Sequence, residues 1–295
     1  VFLPADKAWV HGWLTPPTGH WLRMGMLGVA SMTSRPAASA PRTPVDGRQR
    51  MPSLYVGCAG WSIPAEYANE FPDGNSHLAR YAQVFSAVEI NSSFYRPHLP
   101  ATYRRWSATV PKAFRFAVKM PRSISHMARL RDCRPPLETF LGEVDSLDGK
   151  LGCLLLQLPP SLVFEAAVVL PFFDLLRQLY KGPVACEPRH ATWFHGTVST
   201  ALRERGIARV AADPARFTQA AVPAGDHSMQ YLRLHGSPRM YYDSYPNALL
   251  QLIAQRLQRP CERTAERWCI FDNTAQGHAT GNALAVARLL RERRG

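Results

Sequence analysis

Gly152-Cys153-Leu154-Leu155-Leu156-Gln157-Leu158 is an apolar run interrupted by one polar side chain near its end and closed by Pro159-Pro160. Its length is that of a β-strand. Residues 166–180 follow with apolar side chains at helical spacing. Val184-Ala185-Cys186-Glu187 then repeats the first pattern, a short apolar run ending on a polar residue. Strand, helix and strand in that order predict a β-α-β unit.

The same rhythm extends in both directions. Short apolar runs occur at 54–58, 87–91, 115–120, 152–158, 184–187, 208–213, 230–235 and 268–273. Helix candidates lie between them at 75–85, 101–109, 137–147, 166–180, 198–205, 248–257 and 282–292. In the first, Leu78, Tyr81, Ala82 and Phe85 share one helical face. The third begins behind Pro135-Pro136, and proline suits a helix start. The stretch at 214–227 reads as a loop. Eight strands alternating with about seven helices over about 240 residues predict α/β architecture as a single-domain TIM-type (β/α)8 barrel. An open doubly wound sheet is the rival fold. No G-x-G-x-x-G follows any run, which counts against its dinucleotide-binding form.

Residues 1–52 are unlike the rest. The part from Ser31 to Arg50 is rich in Pro, Ala, Ser, Thr and Arg and has no apolar period, so it cannot bury enough surface to offset its ordering entropy. It reads as a disordered extension or the product of an early start, with Met51 as a natural alternative start. The barrel domain is assigned to 53–295.

The chain has 295 residues, a hydrophobic share of 46% and a formal net charge of +13. That share supplies a core and excludes a wholly disordered chain. No apolar run is long enough to cross a membrane. The six cysteines form no C-x-x-C pair, and several lie in apolar runs; together with the absence of a secretory signal pattern this reads as a cytoplasmic protein without a disulfide framework. Residues 1–50 carry six basic and two acidic groups, and four arginines cluster at Arg288, Arg291, Arg293 and Arg294. Much of the positive charge that would invite a nucleic-acid partner therefore lies away from the mouth of the barrel.

In a (β/α)8 barrel the chemistry sits at the C-terminal strand ends, and side chains alternate between faces along a strand. Polar residues at the run ends are in phase with small or apolar partners. Glu89 and Asn91 follow Ala87, Lys119 follows Ala117, and Gln157 follows Leu155. Glu187 follows Ala185, Asp213 follows Ala211, Arg233 and His235 follow Tyr231, and Asp272 follows Ile270. A lone carboxylate at a strand end most often caps a helix or pairs with an arginine. Polar groups on seven strands at once are costly to bury unless they pair with one another or serve a ligand. The adjoining loops add Trp61, Tyr95, His126, Arg189, His190 and Asn273.

These residues resemble a known family. The stretches Val56-Gly57-Cys58-Ala59-Gly60-Trp61, Val88-Glu89-Ile90-Asn91-Ser92-Ser93-Phe94-Tyr95 and Phe116-Ala117-Val118-Lys119 carry the likeness. So do Ser125-His126, Gln157-Leu158-Pro159-Pro160, Glu187-Pro188-Arg189-His190, Arg233-Leu234-His235-Gly236 and Phe271-Asp272-Asn273. The chain resembles the YecE-like family, known as domain of unknown function 72, over about residues 54–291. It departs at Cys58-Ala59, where the family more often carries Thr-Ser, and at Ser125, where it carries Thr. The resemblance implies a TIM-type barrel and the positions of a site, and assigns no reaction.

The residues themselves support three readings. The first is an enzyme of hydrolase or isomerase type acting on a polar or anionic small molecule or sugar. Glu187 or Asp213 would be the base and His235 or a protonated Glu89 the acid. Lys119, Arg233 and His126 would hold negative charge, and Trp61 and Tyr95 would form walls. The second is a nucleic-acid-binding or nuclease-like barrel holding a divalent metal on the strand-end carboxylates and histidines. Lys119 and Arg233 within the ring disfavour a metal, because fixed cations repel it and occupy the carboxylates. The cofactor is otherwise unknown. The third is a ligand-binding scaffold without turnover. Cys58 ends the first run but has no evident base in sequence.

Overall fold

The structure, a computed structural model, describes residues 51–261 and 263–292. The extension expected at 1–52 thus lies outside the described residues apart from Met51 and Pro52, as do Arg293 and Arg294.

The described residues form ten strands and seven α-helices, alternating except from β6 to β9, where no α-helix intervenes. The strands are β1 (Ser53–Cys58), β2 (Ala87–Ile90), β3 (Arg115–Lys119), β4 (Leu151–Gln157) and β5 (Val184–Glu187). They continue as β6 (Ile207–Arg209), β7 (Ala211–Asp213), β8 (Ala224–Gly225), β9 (Met229–Leu234) and β10 (Glu266–Phe271). The helices are α1 (His77–Val84), α2 (Pro100–Thr109), α3 (Arg134–Val144), α4 (Ala166–Leu179), α5 (Gly196–Glu204), α6 (Asn247–Gln258) and α7 (His278–Glu292). Local chemistry accounts for several starts. The Ser76 hydroxyl accepts from the Ala79 amide at 3.1 Å and caps α1. Prolines occupy the first positions of α2 and α3, where no intrahelical donor is lost.

The strands form two sheets, ordered β1-β10-β9-β7 and β2-β3-β4-β5-β6-β8. All pairings are parallel except that of β8 on β6. The α/β class and the parallel pairing are those expected from sequence. Two details differ. The run at 208–213 is split into β6 and β7 by Val210, whose amide donates to Cys186 O at 2.9 Å. The loop expected at 214–227 holds a short 3-10 turn at Thr218–Ala221 and the two-residue β8. At the other junction of the sheets a single bridge pairs Ala59 with Glu89, and Gly60 N donates to Glu89 O at 3.0 Å. A Cβ on Gly57 would lie 1.9 Å from Ala87 O, so glycine is what lets β1 approach β2.

The strand faces bury different things. Val88, Ile90, Phe116, Val118, Leu154 and Leu156 face the helices and join Tyr81, Leu137 and Phe173 in the larger core. Each such side chain contributes about 1.5–3 kcal/mol when fully buried. The opposite face builds a smaller core from Ala87, Ala117, Leu155, Ala185, Tyr231 and Ile270. Small residues on this face bring the strands' polar ends close together. Among the described residues no helix is long and apolar enough to cross a membrane. All six cysteines are free.

Candidate functional site

Continuing the small-residue face toward the C-terminal strand ends leads from apolar packing to charge. Tyr231, Arg233 and His235 follow one another on this face along β9 and just beyond it. Arg233 is 1% exposed and reaches three carboxylates. Its Nη2 donates to Glu89 Oε1 at 2.6 Å and its Nε to Glu89 Oε2 at 3.0 Å. Nη1 donates to Glu187 Oε2 at 3.1 Å, and Nη2 lies 3.1 Å from Asp272 Oδ2. The Tyr231 hydroxyl donates to Glu89 Oε2 at 2.9 Å, so both oxygens of Glu89 are occupied.

His235 lies between two of the same carboxylates. Nδ1 is 2.9 Å from Asp272 Oδ2 and Nε2 is 3.2 Å from Glu187 Oε1. An imidazole with an acceptor on each nitrogen is best served as the doubly protonated cation. Burial opposes that charge, but Glu187 and the hydrogen bonds to Asp272 and Glu187 outweigh it and raise the His235 pKa. Burial would likewise raise Glu187, and Arg233, Arg189 and His235 together hold it well below the carboxylate range. Asp272 is lowered against its own burial by Arg233 and His235. Arg189 completes the set, with Nε 3.0 Å from Glu187 Oε1 and Nη2 3.5 Å from the Tyr241 hydroxyl.

Lys119, at the end of β3, stands apart. Its Nζ lies 4.2 Å from the centroid of the Phe94 ring. Among the described residues it makes no hydrogen bond or ion pair. Burial and then Arg233 lower its pKa to about 8, against the opposing pull of Glu89, Glu187 and Asp272. Phe94 also meets His126 and Tyr95 edge-on, at 4.9 Å and 5.0 Å between centroids. His126 Nδ1 is 2.9 Å from the Ser125 hydroxyl, and burial with Lys119 and Arg189 lowers its pKa. Gln157 is in register with Glu187, and its buried Oε1 has no hydrogen-bond partner among the described residues.

The structure thus brings together Glu89, Glu187, Arg189, Arg233, His235 and Asp272 by direct contact, with Lys119, Gln157 and His126 beside them. It places the other candidates elsewhere. Asp213 is in register with Leu234, and Ala212 with Arg233, so Asp213 faces away from the charged cluster and lies against Tyr245. Trp61 packs edge-on against Trp106 at 5.1 Å. His190 Nδ1 accepts from the Thr192 amide and caps the short turn at Ala191–Phe194. Asn273 Nδ2 donates to Asp243 O at 2.9 Å and to Asn282 Oδ1 at 2.8 Å, which ties a loop to α7. Asn91 is half-buried at the start of the turn Ser92–Phe94. Tyr95 is exposed. Burial pushes the Cys58 thiol up to about 12, far from the range of a nucleophilic thiolate. Among the described residues no group of three or more His, Cys, Asp and Glu is arranged to hold a metal ion.

The family model described as "Protein of unknown function DUF72" matches residues 55–295. The chain belongs to the DUF72 family. It is 32% identical over 176 residues to UPF0759 protein YecE of Escherichia coli strain K12, a match covering 58% of this chain and 62% of that protein. The match therefore spans less than two thirds of YecE. UPF0759 protein YunF of Bacillus subtilis strain 168 is 23% identical over 267 residues, covering 80% of this chain and 94% of YunF. Two solved DUF72 family structures share the fold. One, from Enterococcus faecalis V583, has a TM-score of 0.67 at 19% identity and covers 81% of this chain and 95% of its own. The other, from Thermotoga maritima MSB8, has a TM-score of 0.66 at 24% identity and covers 81% and 99%.

In this DUF72 chain the charged cluster borders a cavity of about 250 Å³. Glu187, Arg189, Arg216 and His235 form its charged wall, and Phe194, Phe217 and Met240 its apolar one. The aromatic wall was not foreseen from sequence, because both phenylalanines lie in loops without periodicity. Tyr231 and Tyr241 were also missed as polar partners. A tyrosine in an apolar phase reads as core, and nothing local shows that its hydroxyl reaches a charge 142 positions away, as Tyr231 does at Glu89.

Proposed function

We propose that this chain is an enzyme performing acid–base chemistry on a small anionic molecule, such as a sugar acid or a phosphorylated sugar. The site is the C-terminal end of a TIM-type barrel whose ring of strands is interrupted at Val210 and between β1 and β2. The interruptions are short, a single residue between β6 and β7 and a single bridge at Ala59 and Glu89, which supports reading the two sheets as one barrel.

One observation carries the functional reading. His235 is held between Glu187 and Asp272 at the wall of a cavity that also takes Arg189. A histidine whose pKa is raised above its ordinary value holds its proton to higher pH than a free imidazole and is suited to act as general acid. Glu187 and Asp272 orient it and balance its charge, and Glu187, held low, is a charge partner more than a base. Glu89 anchors Arg233, and Arg233 in turn spaces the carboxylates. Arg189, bonded to Glu187 and still 18% exposed, would meet the substrate's negative group, with the exposed Arg216 a second cation lining the same cavity. The orphaned Gln157 oxygen offers an acceptor for a substrate hydroxyl.

The test is a melting-temperature survey with phosphorylated sugars, sugar acids and neutral sugars, followed by product analysis on each compound that binds. Anionic compounds are expected to stabilise the protein and at least one to be converted, with conversion lost in His235→Gln while binding persists. No stabilisation by any anionic compound would overturn the reading.

A further inference from the structure

Among the described residues Lys119 is the one buried cation of the cluster that the ion-pair network does not use. It is 5% exposed, yet among the described residues its ammonium makes no hydrogen bond or ion pair and lies over the face of Phe94. Three carboxylates act on it electrostatically without bonding to it. Both oxygens of Glu89 and of Glu187, and Oδ2 of Asp272, are engaged elsewhere. Glu89 accepts from Arg233 and Tyr231, Glu187 from Arg233, Arg189 and His235, and Asp272 from Arg233 and His235. A lysine present only to neutralise buried carboxylates would pair with one of them. An unpaired amine on β3, with orphaned Gln157 Oε1 at the end of the paired strand β4, is instead arranged for a partner that the described residues do not supply.

We infer that Lys119 is a nucleophilic amine that captures a small anionic aldehyde or ketone as a Schiff base, the substrate's negative group being met by Arg189. The inference rests on the proposed function of the same site and names its substrate class, a carbonyl compound. The neutral amine adds to the carbonyl carbon, and the carbonyl π pair moves to oxygen. One hydrogen from the nitrogen and one proton from the His235 imidazolium leave with that oxygen as water. The product is a protonated imine, and no oxidant or reductant is consumed.

The surroundings suit that chemistry. Glu89 from β2, Glu187 from β5, Arg233 from β9, Asp272 after β10 and His126 after β3 all face the amine, and the balance of burial and charge lowers its pKa to about 8. An appreciable share is then uncharged near neutrality, as a Schiff-base lysine requires.

The experiment is reductive trapping. The full chain is incubated with glyoxylate or glycolaldehyde phosphate and sodium cyanoborohydride, and labelled peptides are mapped by mass spectrometry. The chain has five lysines, Lys7, Lys112, Lys119, Lys150 and Lys181, so selectivity is easily read. Lys119 is expected to label about ten-fold or more faster than the other lysines, with a rate that rises through pH about 8 and falls when inorganic phosphate competes. Lys119→Arg, which keeps the charge, is expected to fold and to lose the label. Uniform labelling of all lysines, in a protein that the same anions still stabilise, would overturn the amine's role and leave the anion-binding reading standing. Uniform labelling with no stabilisation would overturn both.

Discussion

Arg233 and Glu89 belong to different sheets, and their side chains close on each other through Nη2–Oε1 at 2.6 Å and Nε–Oε2 at 3.0 Å. Both residues are buried, at 1% and 0% exposure. The pair therefore clamps β9 to β2 across the polar end of the molecule, where the ladders themselves do not join these strands. A buried ion pair seldom adds net stability over an apolar substitute of the same shape, but removing one partner strands the other.

Arg233→Met is thus expected to lower stability by about 3–5 kcal/mol, because Glu89, Glu187 and Asp272 lose a shared counter-ion. Urea titration of the variant measures this. The double variant Arg233→Met with Glu89→Gln is expected to recover part of the loss, and no recovery would mean that the two residues do not act as a pair.

Lys119→Met is expected to stabilise the protein at neutral pH. Lowering a lysine from 10.5 to about 8 corresponds to about 3 kcal/mol of unfavourable burial of the charged form. That cost is present below pH about 8 and is relieved as pH rises toward 10.5. The variant's advantage in melting temperature should accordingly shrink on going from pH 7 to pH about 10.

The pairs around His235 work on a different pH window. Its folded pKa lies above the ordinary 6.5, so its contribution is complete below pH 6.5 and is lost as pH rises through the folded value. Glu187 and Asp272 lie below their ordinary 4.5 and 3.8, so theirs is complete above those values and is lost as pH falls through the lowered ones. Each proton contributes a slope of up to about 1.4 kcal/mol per pH unit. His235→Gln should flatten the alkaline limb and leave the acid limb largely in place. Equal limbs in variant and wild type, read from melting temperature against pH, would remove His235 from this account.

Arg189→Met should weaken binding of anionic ligands by about ten-fold or more, since a charge-assisted contact contributes about 1.5–3 kcal/mol. Stability should change far less, because Arg189 retains 18% exposure and Glu187 keeps its bonds from Arg233 and His235. Titration calorimetry with a phosphorylated sugar separates the two effects.

The β/α rhythm and the strand phases were legible because both are local. Glu89, Lys119, Gln157, Glu187, Arg233, His235 and Asp272 each lie two or four positions from a small or apolar residue of the same face, and the structure keeps them on that face. Asp213 is the exception. Its phase with Ala211 predicted an inward side chain, but Ala212 is equally small, so residue size along this run does not mark which face is inward. The pairing of Ala212 with Arg233 turns Asp213 the other way. His190 and Asn273 carry the same side-chain types as site residues, yet cap a turn and tie a loop. Only their tertiary neighbours distinguish those roles.

The alternation of short apolar runs with helical segments was enough to place this chain in the α/β class and to mark which strand ends are polar, since period and phase depend on residues a few positions apart. The partners of those polar ends depend on something else. Arg233 meets Glu89 across 144 positions and Glu187 across 46, and each contact is decided by which strands lie opposite and how far a side chain reaches. Tertiary packing alone therefore decided that three carboxylates share one arginine, that His235 is held between two of them, and that Lys119 is left over.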